Sequence, residues 1–400
     1  MKRFGWALAI VVVLAGQSVG LGQRKMDVAL GERVRSSMRP FLEQRDISGV
    51  VALVGDREGV LALEAIGQAD NEEGKAMRPD TLFRIASMTK PITALAVMML
   101  VEERKLSLDA PVEALLPEFK GQMLVASKDG ETITLKKPAR PITARDLLTH
   151  TSGLPGGPPP GLADLYSKRD HSLAEAVMAF SQRPLDFEPG TKWAYCNAGI
   201  DTLGRMIEVA SGKSYEDFLK ERLFTPLGMV DTVFYPSADQ AKRTAVLYQK
   251  KESVLERSPS FLGEPKAYKY PIPAGGLYST APDLAKLYRM VLQGGTFDGK
   301  RYLSESSVAE MTKLQTPQIK TGFVDGMGWG LGFSYVREPQ GVTESLSAGS
   351  YGHGGAFGTQ AWIDPVKGKY VVLLIQRTGL PNSDASDMRK ALQKAALATP

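Results

Sequence analysis

Cysteine and histidine are nearly absent from this sequence. Its 400 residues include one cysteine, Cys196, and three histidines. A single cysteine excludes a disulfide within the chain, so the fold must depend on packing, which a chain of this length can supply. The histidines do not have the spacing of zinc ligands. The sequence therefore predicts neither a disulfide framework nor a metal site, and we expect the protein to need no cofactor.

A strong excess of charge of one sign is also missing. The chain has 49 Lys and Arg residues against 44 Asp and Glu, a formal net charge of +5 that falls to +3 without Lys2 and Arg3. The basic residues are scattered, and their densest run, residues 136–140, lies in a turn-rich segment. Nucleic-acid binding needs a basic patch or stripe, so we expect no nucleic acid as partner. Weak attraction to anionic cell-wall polymers or lipids stays open, but an ordinary solvated surface is favoured.

No apolar run is long enough for a transmembrane helix, which needs about 20 residues. The apolar run at the start of the chain, residues 6–16, follows Lys2 and Arg3 and precedes several small residues. This pattern is typical of a secretory signal peptide, which we assign to residues 1–22. We therefore expect an exported bacterial protein, periplasmic or secreted, with no further membrane segment. An uncleaved anchor is the alternative.

What the sequence does contain is a serine followed three residues later by a lysine, Ser87 and Lys90. Positions i and i+3 share one face of an α-helix, so the amine lies beside the hydroxyl if this segment is helical. Pro91 has no backbone N–H and fits best near a helix start. The free N–H groups of that turn would then face an oxyanion on a carbonyl attacked by Ser87. Residues 92–101 are almost wholly apolar, which predicts a helix buried on every side.

Two further short motifs follow in chain order. Residues 195–197 are Tyr-Cys-Asn, and residues 353–355 are His-Gly-Gly. Acyl transfer by a serine needs a base, but tyrosine and lysine both titrate near about 10, so neither is a natural base at neutral pH. A lysine ammonium beside a phenol favours the phenolate, whereas burial favours the neutral amine. Tyr195 and Lys90 can therefore pass one proton between them.

These three motifs and their order resemble the serine β-lactamase and penicillin-binding-protein superfamily. The resemblance is to its class C-like branch, which holds the family VIII carboxylesterases and D-Ala-D-Ala carboxypeptidases. Residues 147–154, 188–191 and 275–279 are similar to the same branch, so the resemblance extends over nearly all of the chain after the signal. Two departures stand out: Tyr-Cys-Asn replaces the Ser-Asp-Asn of class A enzymes, and His-Gly-Gly replaces the Lys-Thr-Gly of β-lactamases.

On this basis we assign a role to each motif residue. Ser87 is the nucleophile, and Tyr195 is the base toward it and the acid toward the leaving group, with Lys90 as electrostatic partner. The reverse assignment of Lys90 and Tyr195 stays open. Asn197 fixes Lys90 or binds a substrate carbonyl. The resemblance implies an oxyanion hole made by the backbone N–H groups of Ser87 and Ala356, and such donors are each worth about 10²–10³ in rate.

The third motif bears on the substrate. His353 stands where β-lactamases carry a lysine that helps to hold the substrate carboxylate. Histidine is largely neutral at pH 7, so carboxylate recognition should be weaker unless a nearby carboxylate keeps the ring charged. Gly354 and Gly355 allow a substrate to approach the strand edge closely.

We therefore expect a small-molecule ester, a β-lactam or a peptidoglycan peptide as substrate. The favoured activity is that of a carboxylesterase that forms an acyl-serine intermediate and has weak β-lactamase activity. A D-Ala-D-Ala carboxypeptidase or penicillin-binding protein is the alternative among enzymes. A non-catalytic ligand-binding member of the fold is the alternative from another class.

Strand signals occur at both ends of the chain, bounded by turn residues. They predict one antiparallel sheet built from both termini, with a helix over residues 383–397 covering one face. The predicted strands are residues 49–54, 60–66, 328–336, 359–363 and 370–375.

Helix signals dominate the middle of the chain, for example the capping-box pattern of Thr143 with Asp146. We infer an α/β (α+β), β-lactamase-like fold. Its α/β domain is expected to be discontinuous, residues 23–104 and 270–400, with a helix-rich domain of residues 105–269 inserted. The three motifs would then come from both domains and meet in a cleft between them.

Overall fold

The computed structural model of the protein describes residues 25–263 and 269–397. The signal peptide expected at residues 1–22 lies outside this part of the chain. No helix in the described ranges is long and apolar enough to cross a membrane. The strands are β1 Gly49–Asp56, β2 Val60–Asp70, β3 Lys75–Ala76, β4 Phe83–Arg84, β5 Leu124–Asp129, β6 Thr132–Lys136, β7 Tyr248–Lys251, β8 Val254–Arg257, β9 Tyr278–Ser279, β10 Thr296–Phe297, β11 Lys300–Arg301, β12 Met327–Trp329, β13 Ser334–Val336, β14 Tyr351–Gly354, β15 Gln360–Asp364, β16 Lys369–Leu374 and β17 Arg377–Thr378. The α-helices are α1 Val28–Glu43, α2 Thr89–Glu102, α3 Ala144–Leu148, α4 Leu165–Lys168, α5 Leu173–Ser181, α6 Asn197–Ser211, α7 Tyr215–Leu219, α8 Thr225–Leu227, α9 Ala238–Lys242, α10 Ala281–Leu292, α11 Glu305–Thr312 and α12 Asp387–Leu397.

The main sheet is built from both ends of the chain. Its eight strands lie in the order β12-β13-β14-β15-β16-β1-β2-β3. Every neighbouring pair is antiparallel. The two halves meet where β1 pairs with β16, with Val51 opposite Leu374. The predicted α/β class, with an antiparallel sheet from both termini and flanking helices, is confirmed.

Alternate residues of β1 contribute to two separate apolar cores. Val51 and Leu53 face the larger core, to which α2 and α10 also belong, whereas Val50 and Val54 face a smaller one. Helices α1 and α12 cover the smaller core and pack on each other. Both faces of the strand are buried, which explains why its sequence is a continuous apolar run rather than an alternating one. The pattern predicted α12 but not α1.

Residues 328–336 form a hairpin rather than the single strand that their composition predicts. Strand β12 pairs with β13, and the Gly330 N–H donates to the Phe333 carbonyl across the turn. Gly332 in this turn has a φ of +74°. Glycine adopts that conformation at little cost, because it has no Cβ. The prediction of one strand was wrong because apolar composition indicates burial but does not show where a buried segment turns.

The middle of the chain is rich in short helices. Residues 105–263 hold α3 to α9, together with the hairpins β5-β6 and β7-β8, which the sequence patterns did not predict. The capping box of Thr143 and Asp146 is present at the start of α3. Strand β7 also pairs in parallel with β17 from the C-terminal part of the chain. The proposed division into residues 23–104, 105–269 and 270–400 stays a prediction.

Helix α2 passes through the larger core. All of its residues from Thr89 to Leu100 are buried, and it packs against α6, α11 and β14. This agrees with the burial on every side that its apolar sequence predicts. Because the helix is surrounded by packed side chains, the turn that precedes it has a fixed position.

Candidate active site

Ser87 lies in a short 3-10 turn, Ala86–Met88, that leads directly into α2. Ala86 is buried and has a φ of +45°. A non-glycine residue in this left-handed region costs about 1–2 kcal/mol, so the surrounding structure must hold it. The Thr89 hydroxyl does so in part by donating to the Ala86 carbonyl at 2.7 Å. The turn presents a half-buried Ser87 at the wall of a cleft.

Lys90 is completely buried and makes three hydrogen bonds. Its Nζ donates to Ser87 Oγ at 3.1 Å, to Asn197 Oδ1 at 2.8 Å and to the Ala274 carbonyl at 2.8 Å. Burial lowers the pKa of Lys90 from its usual value to about 7, because the charged form loses its hydration. The amine is thus close to neutrality at physiological pH, beside the hydroxyl that it contacts.

Tyr195 lies next to the same pair. Its hydroxyl is close enough to the Ser87 side chain for Ser87 to lower the pKa of the phenol, and Lys90 Nζ is 4.6 Å from the centre of its ring. Burial raises the pKa of the Tyr195 phenol, and Ser87 opposes that rise only in part. The described surroundings therefore favour a neutral phenol and a partly neutral amine.

Asn197 is the first residue of α6. Cys196 caps this helix, since its sulfur accepts the N–H of Gly199 at 3.3 Å. The Asn197 side chain still points at Lys90, whose Nζ lies 2.8 Å from its Oδ1. A lysine is only a donor, so this contact fixes which end of the amide faces it. The arrangement fits the expected role of holding Lys90 in place.

Asp201 belongs to this cluster, although sequence reasoning missed it. It follows Asn197 by four residues on α6 and is fully buried. Its carboxylate accepts the hydroxyls of Tyr166 and Tyr270 and the N–H of Ala274. Burial raises the pKa of Asp201 to about 6, while these bonds and Lys90 oppose the rise. An acidic residue inside an otherwise apolar helical stretch was the available signal.

His353 lies on β14, where the strand borders the cleft. Its Nδ1 is 2.6 Å from the Gly354 carbonyl, so this nitrogen carries the proton, since a carbonyl oxygen only accepts. Burial, and then the charge of Lys90, lower the pKa of His353 to about 3. The ring is therefore neutral across the physiological range and leaves Nε2, which is buried, without a partner among the described residues.

The two glycines after His353 allow close contacts that a larger residue would block. A Cβ on Gly354 would lie 2.3 Å from Asp384 Oδ1, and one on Gly355 would lie 2.5 Å from the Ile85 carbonyl. Gly355 thus brings its strand end against the segment that carries Ser87. The next residue, Ala356, is exposed in the cleft. Within the described residues, the backbone N–H groups of Ser87 and Ala356 donate no hydrogen bond, as an oxyanion hole requires.

The cleft encloses about 420 Å³ and contains Ser87, Tyr195 and the His353 motif. Its rim includes two partly exposed aromatic side chains, Phe261 and Phe323. The remaining wall is the segment of residues 378–384. In residues 25–263 and 269–397, no three His, Cys, Asp or Glu side chains are grouped as metal ligands would be. That the protein needs no cofactor stays a prediction.

The two other histidines lie in different environments. His150 is buried, with its ring 4.5 Å from that of Tyr195, and its Nδ1 accepts the Cys196 N–H at 3.1 Å. His150 therefore holds the backbone of Cys196 and packs against the ring of Tyr195, both of which belong to the second motif. His171 is partly exposed and contacts Asp170. Neither one hydrogen-bonds Ser87 in the described structure, in keeping with the structural or exposed positions expected for them.

The comparisons with known proteins agree with the motifs and the fold. Residues 34–396 match the family model described as Beta-lactamase. The chain is 32% identical to esterase EstB of Burkholderia gladioli, over 86% of this chain and 90% of that protein. It is also 32% identical to penicillin-binding protein 4 of Amycolatopsis lactamdurans, over 84% of this chain and 82% of that protein.

A solved structure shows the same architecture. The structure described as EstCE1, a hydrolase with promiscuous acyltransferase activity, is 26% identical and has a TM-score of 0.75, over 92% of this chain and 99% of that one. The resemblance noted from the three motifs is thereby confirmed. The chain belongs to the Beta-lactamase family and is a serine hydrolase.

Proposed function

We propose that the protein is an exported carboxylesterase that forms an acyl-Ser87 intermediate and reacts weakly with β-lactams. The observation that carries the proposal is the position of Lys90. Its buried amine lies 3.1 Å from Ser87 Oγ and has a pKa lowered to about 7. An amine that is partly neutral at the working pH can take the proton of the hydroxyl it touches.

In acylation, the Ser87 oxygen attacks the carbonyl carbon of the ester. The Ser87 proton passes to Lys90, either directly or through the hydroxyl of Tyr195. The carbonyl oxygen becomes an oxyanion, which the N–H groups of Ser87 and Ala356 stabilise. The bond between carbon and the alcohol oxygen then breaks, and the alcohol takes up the proton that Ser87 lost.

Deacylation repeats these steps with water. Water attacks the acyl carbon and gives a proton to the pair of Lys90 and Tyr195, and that proton returns to the Ser87 oxygen as the acid leaves. Burial lowers the pKa of Lys90 and raises the pKa of Tyr195. These directions favour Lys90 as the group that accepts the proton and Tyr195 as the relay. This is the reverse of the assignment first made from the sequence, which had left both open.

The preference for esters is supported by the third motif. A neutral His353 holds a substrate carboxylate less well than a lysine would. Penicillins and peptides ending in D-alanine both carry a carboxylate near the reacting bond, whereas a simple ester needs none. The similarity to esterase EstB and to the hydrolase EstCE1 points the same way.

A D-Ala-D-Ala carboxypeptidase, or penicillin-binding protein, is the second candidate. The similarity to penicillin-binding protein 4 supports it, since both chains match over most of their length. A non-catalytic ligand-binding protein is the third. The convergence of Ser87, Lys90 and Tyr195 in one hydrogen-bonded group weighs against that candidate.

The three candidates separate in one set of assays. Purified protein is expected to hydrolyse p-nitrophenyl butyrate steadily and to be labelled slowly by a fluorescent penicillin, with mass spectrometry placing the label on Ser87. Ser87→Ala is expected to abolish both, whereas Ser36→Ala, on the exposed face of α1, should change neither. A single burst without turnover supports the ligand-binding protein, and faster release of D-alanine from a peptide supports the carboxypeptidase. A label that survives Ser87→Ala contradicts the nucleophile.

Export needs its own test, because that part of the proposal depends on the signal peptide expected at residues 1–22. N-terminal sequencing of protein recovered from the periplasm or the medium of a bacterial host should begin close to residue 23. Recovery in the cytoplasm with the first residues intact would contradict export, and recovery in the membrane fraction would support an uncleaved anchor.

A further inference from the structure

The carboxyl group of Asp384 lies in the same cleft as Ser87. It stands against the end of β14, so close that a Cβ on Gly354 would be 2.3 Å from its Oδ1. The pairing of β13 with β14 ends at Gly352, whereas the pairing with β15 continues to Gly354. The end of β14 therefore has one open edge, and Asp384 is placed beside it.

The backbone around Asp384 is held firmly while its side chain is left largely free to interact. Asn382 Oδ1 accepts the Asp384 N–H at 3.0 Å, and Arg389 donates to the Asp384 backbone carbonyl at 2.6 Å. In the described structure, the carboxylate itself has one side-chain contact, a long one of 3.5 Å from Gln360 Nε2, which is nearer to the Ser383 carbonyl. Most of the acceptor capacity of the carboxylate is thus available to the cleft.

The charge of Asp384 is not matched by a cation on the cleft wall. Arg389 is fully buried, 4.1 Å from the ring centre of Trp362, and is not among the residues that line the cleft. Burial raises the pKa of Asp384, and the charge of Arg389 opposes that rise. The other ionisable side chains that line the cleft are His353 and Tyr195, and burial keeps both neutral. A substrate therefore meets a carboxyl group at this edge, with no lysine or arginine among the residues that line the cleft.

Another part of the cleft lining is apolar. Phe323 is 43% exposed and contacts the ring of Tyr195 at 4.9 Å, and Phe261 is 57% exposed and packs on Phe357. Exposed aromatic rings of this kind offer a surface for an uncharged group of the substrate. The cleft thus combines an apolar side with a negative one.

We infer that Asp384 determines specificity by charge, so that the cleft accepts esters with an uncharged or cationic acyl group and rejects those whose acyl group carries a carboxylate. Two like charges a few ångströms apart repel, and the repulsion is stronger at a protein surface than in bulk water. The inference rests on the proposed esterase function and extends it from the bond that is cleaved to the charge of the substrate. If Asp384 had only a structural role, removing its charge would leave the ratio of kcat/KM between anionic and neutral esters unchanged.

The first test uses the unaltered protein and three p-nitrophenyl esters of similar length. These are the monoester of glutaric acid, which is anionic, the methyl ester of that compound, which is neutral, and the ester of 4-(trimethylammonio)butyric acid, which is cationic. At about pH 8, the free carboxyl group of the glutaric ester is ionised, and kcat/KM is expected to be at least about tenfold lower for this ester than for its methyl ester. The cationic ester should be hydrolysed at least as well as the neutral one. Equal rates for the anionic and neutral esters would overturn the inference.

The second test assigns the effect to one side chain. Asp384→Asn should raise kcat/KM for the anionic ester about tenfold and leave that of the methyl ester within about twofold. Asp387→Asn is the matched control, since it removes the same charge three residues away at an exposed position outside the cleft. Circular dichroism and thermal unfolding check that each variant is folded. A folded Asp384→Asn protein with the original ratio overturns the inference but leaves the esterase proposal standing, whereas failure to hydrolyse any of the three esters overturns both.

Discussion

Asp201 and Lys90 are joined through a single residue, Ala274, which donates its N–H to the carboxylate and accepts the amine on its carbonyl, each at 2.8 Å. Asn197, four residues before Asp201 on α6, holds the same amine directly. One helix face therefore supports Lys90 twice. The charge of Asp201 raises the pKa of Lys90 while burial lowers it, and burial has the larger effect. The pKa of about 7 is the balance of the two.

This balance predicts the effect of Asp201→Asn on the pH profile. Lys90 acts as a base only when deprotonated, so kcat/KM should rise with pH through a value near 7. Removing the carboxylate removes an attraction for the ammonium, which should move the rise to lower pH by about one unit. The measurement is kcat/KM for p-nitrophenyl butyrate between about pH 5 and 9. Asp239→Asn, on the exposed side of α9, is the control, and a rise that stays in place would show that Asp201 does not tune Lys90.

Tyr195→Phe tests the proton relay with little change in shape. Only the hydroxyl that bonds Ser87 is lost, so kcat should fall by about 10²–10⁴ while the free energy of unfolding changes little. Steady-state kinetics and urea unfolding are the measurements. Tyr302→Phe, which removes a hydroxyl bonded to the Pro226 carbonyl, is a matched control that should keep full activity. A near-normal rate in Tyr195→Phe would rule out the relay.

His353→Lys tests the preference for esters. A lysine at this position would supply a cation for a substrate carboxylate, so acylation by a penicillin should increase relative to ester hydrolysis. We expect the ratio of the penicillin acylation rate to kcat/KM for p-nitrophenyl butyrate to rise about tenfold, which corresponds to about 1.4 kcal/mol. An unchanged ratio would mean that this position does not set substrate choice.

Gly355→Ala tests the close approach of β14 to the turn that carries Ser87. The new Cβ would lie 2.2 Å from Thr359 Oγ1 and 2.5 Å from the Ile85 carbonyl, so the backbone must shift. We expect a loss of about 1–3 kcal/mol in the free energy of unfolding and a lower kcat. Gly157→Ala is the control, because no atom lies within 4 Å of its Cβ position. Equal urea unfolding curves for the two variants would show that the contact is not needed.

Local patterns were enough to predict much of the site. The spacing of Ser87 and Lys90 places them on one face because helix geometry depends only on sequence separation. The strands at the two ends were recognisable because β1 and β16 are buried on both faces and are therefore continuous apolar runs in the sequence. The predicted fold class followed from these two features together with the family resemblance.

Other parts could not be predicted because they depend on contacts between distant segments. The link between Asp201 and Lys90 depends on Ala274, which is distant from both in sequence. The position of Asp384 in the cleft depends on the contact of its turn with Gly354. Helix α1 is a different case, because Leu30, Val34 and Met38 recur every four residues and face the sheet, a local signal that the prediction missed. The pKa order of Lys90 and Tyr195 likewise depends on burial, which spacing does not reveal.

The pairing of β1 with β16 has a consequence for biogenesis. The two strands are more than three hundred residues apart in sequence, yet they are neighbours in the interior of the main sheet. Strand β1 can pair with β2 early, but its other edge has no partner until almost the whole polypeptide is synthesised, and contacts of such long range make folding slow. Until then its edge can pair with other chains. Late completion of the sheet would keep the polypeptide unfolded during synthesis, as the proposed export through a translocation channel would require.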